Sequence, residues 1–267
     1  MPAIKTPSKT NCEPPAAPGI MNSPLDSSRL DPTLAASQLW NSTIIGTRLM
    51  QLAVVLAALA ALSLLVDMQV ARYWHQVKLG GDVRNFFRMI EAFAYGYTVL
   101  ILIFMVSAID PRGARILPRL LLCTYGPGVL VNIVKVSVSR MRPSSIDDLN
   151  VSVMSTFGAL FPFLVDGTSL DHRMQSFPSG HTATATGFAA ALAILYPQRA
   201  WVFVILPVVA ALQRLQSESH FLSDTLSAAS LACFAVALSC LVPLVSRRLL
   251  KFEAPSSIAE QVISSKV

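Results

Sequence analysis

Residues 49–66 read LMQLAVVLAALAALSLLV, eighteen consecutive positions without a charge. A helix of that length reaches about 27 Å, close to the ~30 Å hydrocarbon core of a bilayer. Five further apolar stretches follow: Ala92–Ile109, Leu120–Val134, Thr182–Gln198, Ala200–Gln213 and Thr225–Ser246. The third continues past Lys135 to Ser139, and the fifth ends at Arg214. The pattern predicts an all-α fold, a polytopic membrane bundle of six transmembrane helices. Composition agrees. Of 267 residues, 53% are hydrophobic and 13% charged, with a mean hydropathy of +0.56. A soluble domain carries about 25% charged residues, so a water-facing globule of this size is excluded, as is a mostly disordered chain. The net charge of +6 does not call for nucleic acid, because membrane proteins keep Lys and Arg on cytoplasmic loops.

Residues 1–42, rich in Pro, Ser, Ala and Asn, are expected to form a disordered N-terminal tail. Residues 43–250 are expected to form the six-helix domain, and 251–267 a C-terminal tail. No apolar core lies near the start, so the first membrane segment is expected to remain as an uncleaved anchor. Cys12, Cys123, Cys233 and Cys240 include three in apolar runs and no CxxC pair. They read as buried small hydrophobes, with no disulfide framework and no zinc site. Gly126-Pro127-Gly128 predicts a kink in the third helix. Val151–Val165 is apolar but too short to span. It reads as an interfacial helix, a lid over a site or a packed loop.

Alternating helices put both termini on one face, with Arg48, Arg112, Arg115, Arg119, Arg199, Arg247, Arg248 and Lys251. The other face receives Arg72, Lys78, Arg84, Arg88, Arg140 and Arg173, together with Lys135, Arg142 and Arg214. Setting the last three aside as functional leaves a weak bias toward cytoplasmic termini.

The unusual polar residues collect on the face opposite the termini. Lys135 and Arg142 are seven apart, two turns along one helical face if the helix continues. Pro178-Ser179-Gly180-His181 opens the fourth helix, with Ser179 as an N-cap and Gly180 allowing close approach to the backbone. Arg214 ends the fifth helix, and His220 and Asp224 stand at i, i+4 at the start of the sixth. Cations and a helix N-terminus bind tetrahedral oxyanions. A carboxylate beside His220 can accept one ring N–H and orient the other nitrogen as a nucleophile. His181 across the site can protonate a leaving alkoxide. Glu91 is a secondary candidate, read first as an i, i+3 partner of Arg88. Asp147, Asp148, Asp166 and Asp171 read as solvated charges.

In order and spacing these residues resemble the type 2 phosphatidic acid phosphatase superfamily, which also contains vanadium haloperoxidases and bacterial acid phosphatases. Its signature is K-x6-R-P, then P-S-G-H, then S-R-x5-H-x3-D. Lys135 to Arg142-Pro143 match the first part, Pro178 to His181 the second, and Arg214, His220 and Asp224 the third. Gln213 stands where the family usually has the phosphate-holding Ser, and Gln can also donate a hydrogen bond. The resemblance covers about 90 residues, Lys135 to Asp224. It implies that His220 attacks phosphorus, Asp224 orients it and His181 protonates the leaving group. It also implies that Lys135, Arg142, Ser179, Gly180 and Arg214 hold the phosphate oxygens, with no metal and no cofactor. The substrate so implied is a lipid phosphate presented from the bilayer, with membrane lipids as surroundings and the site on the outer (periplasmic or lumenal) face. The rival readings are a phosphatase of a soluble phosphoester, a vanadate-dependent haloperoxidase, and a non-catalytic phospholipid-binding or transport relative.

Overall fold

A computed structural model describes residues 32–77, 79–93, 95–165 and 171–253. In hydrocarbon no water is available to backbone N–H and C=O groups, so apolar runs close their hydrogen bonds within a helix. In chain order the helices are α1 Pro32–Ser63, α2 Asp67–Gln76, α3 Gly81–Phe93, α4 Gly96–Ile109, α5 Leu117–Ser137, α6 Pro162–Val165, α7 Gly180–Leu195, α8 Ala200–Phe203, α9 Ile205–Gln216, α10 Leu222–Leu241 and α11 Pro243–Glu253.

Four segments are long and apolar enough to cross a membrane: Leu39–Ser63, Gly113–Ser137, Pro197–Gln216 and Leu222–Leu241. Gly81–Glu91 with Gly96–Ile109 makes a fifth only as a pair bent by 70°. The fourth expected span is α7, which at 16 residues is about 24 Å long and falls short of that length. Eleven of its residues are buried, so protein rather than lipid surrounds most of it. Among the described residues, four helices, or five with the bent pair, meet the length and composition of a span.

The expected 1–42 tail is also shortened. Helix α1 begins at Pro32, while residues 1–31 and 254–267 lie outside the described residues. α11 extends to Glu253, three residues into the expected C-terminal tail.

Helix α1 packs along α10. Ser230 Oγ donates to the Ala53 carbonyl at 2.7 Å, and a Cβ on Gly46 would lie 2.8 Å from Leu241 Cγ. α7 packs against α5 and α10 over a core of Val99, Ile103, Leu120, Cys123, Phe188, Ala191, Leu192 and Val236. α5 runs as one helix through Pro127. Proline has no N–H, so the Cys123 carbonyl loses its helical partner. Gly187 of α7 covers that carbonyl so closely that a Cβ there would lie 2.2 Å from the Cys123 oxygen.

The helical fold expected from the sequence carries one small sheet among the described residues. β1 (Val138–Arg140) pairs antiparallel with β2 (Phe157–Leu160), with Val138 opposite Leu160 and Arg140 opposite Phe157. The apolar segment 151–165 carries β2 and the short α6 rather than one continuous helix, and Val151, Met154, Leu160, Phe161 and Leu164 are exposed.

The two ends of the bundle differ. At one end Asp110 accepts from Arg112 Nε at 2.9 Å and from Tyr196 Oη at 2.6 Å. The Arg112 guanidinium holds its carboxyl well below the usual carboxylate range. The buried Arg119 pairs there with Glu253. At the other end lie the C-termini of α1, α5 and α9 and the N-termini of α7 and α10.

Candidate active site

Four helix ends carry the signature residues. Lys135 is in the last turn of α5. Ser179 caps α7, its Oγ accepting from Thr182 N at 3.4 Å. Arg214 is in the last turn of α9, and Asp224 is in the first turn of α10. The ends are laced together. Ser179 N–H donates to the Asp224 carbonyl at 3.2 Å, and Ser144 N–H donates to the Glu218 carbonyl at 3.0 Å. Pro178 is buried and follows a cis peptide bond from Phe177. A Cβ on Gly180 would meet nothing within 4 Å, so the backbone there faces open space.

Two local expectations are corrected. α5 stops at Ser137 and the chain turns extended, so Lys135 and Arg142 do not share a helical face. Arg142 is instead carried past β1, where burial and the neighbouring Arg214 guanidinium lower its pKa from the ordinary value. His220 precedes α10, so His220 and Asp224 are not on one helical face either.

The His220 ring is 3% exposed. Its Nδ1 lies 2.5 Å from the Ser176 carbonyl oxygen and 3.8 Å from Asp224 Oδ2. A carbonyl only accepts, so the partner assigns the ring hydrogen to Nδ1 and leaves a lone pair on Nε2. Burial pushes the imidazole pKa down, and the Asp224 carboxylate opposes that. His220 is thus favoured in its neutral form. The orienting acceptor is a backbone carbonyl and not the carboxylate expected from sequence. Asp224 holds the surroundings: it accepts from Arg140 Nη1 at 2.5 Å, Ser176 Oγ at 2.5 Å and Phe221 N at 2.9 Å.

His181, in the first turn of α7, packs its ring edge-to-face on Tyr95 at 5.0 Å. Its buried Nε2 has no hydrogen-bond partner among the described residues, and the same holds for Arg142 Nε. Arg214 pairs with Glu91 at 2.5 Å. Gln213 joins the two: its Nε2 donates to Glu91 Oε2 at 3.0 Å, and its Oε1 accepts from Arg214 Nε. Tyr95 Oη also donates to Glu91, at 3.2 Å. Glu91 therefore serves Arg214 rather than the expected Arg88. Asp148 and Asp171 accept from nearby backbone N–H groups, of Asn150 and Arg173, and Asp166 lies outside the described residues. No group of three or more His, Cys, Asp or Glu suited to a metal occurs among the described residues.

Sequence reasoning missed Ser176, Arg140 and Asp67. Ser176 acts through its backbone carbonyl, which no sequence marks. Arg140 is one basic residue in a short strand. Asp67 carried a signal, as an acidic residue directly after eighteen uncharged ones.

Residues 117–248 match the family model of the PAP2 superfamily. Lipid A 1-phosphatase of Rhizobium etli is 28% identical over 100 residues, 38% of this chain and 38% of that protein. Lipid A 1-phosphatase of Rhizobium johnstonii is also 28% identical over 100 residues, 38% of this chain and 36% of that protein. The match thus spans little more than a third of these curated relatives. No solved structure matches the chain. The matched region contains all three parts of the signature, from Lys135 to Asp224. This chain is a helical membrane protein whose residues 117–248 are similar to the PAP2 superfamily.

Proposed function

We propose that the protein is a membrane-embedded phosphatase that hydrolyses the phosphomonoester or pyrophosphate of a lipid phosphate through a phosphohistidine intermediate. The observation that carries this reading is the Nδ1 contact of His220 with the Ser176 carbonyl, which frees Nε2, in a site also holding His181, Lys135, Arg142 and Arg214. His220 Nε2 attacks phosphorus. The P–O bond to the leaving group breaks, and His181 gives its proton to the departing oxygen. The phosphoryl group now sits on Nε2, Nδ1–H remains donated to Ser176, and the ring carries positive charge. Water, deprotonated by His181, then attacks phosphorus. The P–N bond breaks and phosphate leaves. Lys135, Arg142, Arg214, the Ser179 hydroxyl and the Gly180 N–H stabilise the oxygens, so positioning and electrostatics supply the rate.

The lipid substrate is supported by membrane-spanning helices whose ends carry these residues, and by relatives named lipid A 1-phosphatase. The 1-phosphate of lipid A is the first substrate to test. Both termini are proposed to be cytoplasmic, with the site on the outer face. The test is phosphate release by purified protein in detergent from lipid A, phosphatidic acid, phosphatidylglycerol phosphate and undecaprenyl pyrophosphate, beside a water-soluble phosphoester. Turnover of at least one lipid is expected. Turnover of the soluble ester alone would overturn the lipid assignment, and no turnover with retained phosphate binding would favour a non-catalytic relative.

A further inference from the structure

Behind His220 lies a charge cluster of which the signature motifs include only Asp224. Arg140 is wholly buried and ion-pairs with two wholly buried carboxylates, Asp67 at 2.8 Å and Asp224 at 2.5 Å. The rings of Phe157 and Phe221 flank its guanidinium at 4.4 and 4.1 Å, and Thr156 Oγ1 accepts from its Nε at 3.2 Å. Asp67 also accepts from the backbone N–H and the hydroxyl of Ser223, in the first turn of α10. Two carboxylates against one guanidinium leave the cluster with one net negative charge. A buried net charge is costly and persists where something answers it.

We propose that Asp67 is a positioning residue that keeps the cluster negative, so that it balances the positive charge the His220 ring acquires when phosphorylated. This rests on the phosphohistidine reading above. Asp224 alone would be neutralised by Arg140, and the Nδ1 side of the phosphorylated ring, turned away from the phosphoryl group, would then have no counter-charge beside it. With Asp67 occupying the other side of Arg140, the carboxylate 3.8 Å from the ring retains its effect. Attack forms the N–P bond and breaks the P–O bond while the Nδ1 proton stays in place, so the ring becomes cationic and ring and cluster together sum to zero, while Lys135, Arg142 and Arg214 face the charge of the phosphoryl oxygens.

The test uses full-length protein and rapid-quench measurement of phosphoenzyme formation with one labelled lipid phosphate. Asp67→Asn is expected to slow phosphorylation by on the order of ten- to a hundred-fold, with KM changed less than about three-fold. Ser223→Ala, which removes a shared hydroxyl but no charge, should lower the melting temperature and slow phosphorylation at least ten-fold less than Asp67→Asn does. Asp67→Asn combined with Arg140→Met restores one net negative charge and should recover most of the lost rate. Equal rate losses in Asp67→Asn and Ser223→Ala, or no recovery in the double variant, would overturn the proposal in favour of a packing role. If Asp67→Asn does not fold, the double variant decides: a rate within about ten-fold of wild type supports the proposal, and a lower one overturns it. Absence of trapped phosphate in the wild type would instead refute the phosphohistidine reading itself.

Discussion

The Ser176 carbonyl oxygen lies 2.5 Å from His220 Nδ1, whereas the nearer carboxylate oxygen of Asp224 lies 3.8 Å away. The ring is oriented by a backbone group, and Asp224 organises the residues around it. Asp224→Asn should consequently cost stability as well as turnover, because an amide would face the Arg140 guanidinium. Breaking a buried pair from one side costs about 3–5 kcal/mol. Ser176→Ala keeps the carbonyl and removes only the hydroxyl that donates to Asp224. It should cost about 1–2 kcal/mol and still form phosphoenzyme. Thermal melts beside phosphate-release assays check both. An Asp224→Asn protein that melts like wild type would show that the carboxylate is not holding this network.

The two histidines should separate kinetically. His220→Ala removes the attacking nitrogen and should abolish turnover and trapped phosphohistidine together. His181→Ala should slow the first step for an alkoxide leaving group by about 10²–10⁴-fold, and far less for p-nitrophenyl phosphate, whose phenolate leaves without a proton. Trapped phosphate in His220→Ala but not in His181→Ala would reverse the roles.

Activity should survive EDTA. Lys135, Arg142 and Arg214 supply the positive charge that a metal ion supplies in other phosphoryl-transfer sites. Dialysis against EDTA followed by phosphate release with and without added Mg²⁺ is the measurement, and loss with rescue by Mg²⁺ would contradict the reading.

Gly187→Ala should destabilise the bundle without touching the chemistry. Its Cβ would lie 2.2 Å from the Cys123 carbonyl oxygen, which is backbone and cannot swing aside. The α5–α7 contact must open, at a cost of at least about 1–3 kcal/mol. A lower melting temperature is expected, with KM close to wild type in the protein that remains folded.

Topology is open to cysteine labelling at Ser145Cys, beside the site, and Ser257Cys, beyond α11. The proposed orientation expects labelling of the first from outside intact cells and of the second only after permeabilisation. External labelling of Ser257Cys would invert the orientation.

The membrane character is legible in the residues alone, because an uncharged run such as 49–66 is stable only where apolar surface meets apolar surface. The order of the signature residues is legible there too, since Lys135, Pro178 to His181, Arg214, His220 and Asp224 stand as types at fixed spacings. Three features arise from contacts between distant parts of the chain. α5 ends at Ser137 because the following residues pair as β1 with β2, a contact about twenty residues away that helical periodicity does not report. His220 is held by Ser176, because a backbone carbonyl is present at every residue and is selected only by where the chain brings it. Arg140 and Asp67 lie 73 positions apart, and nothing in the sequence points from one to the other. They become a buried cluster only when α2, β1 and α10 close around them, because burial and net charge belong to the assembled environment and to no single residue.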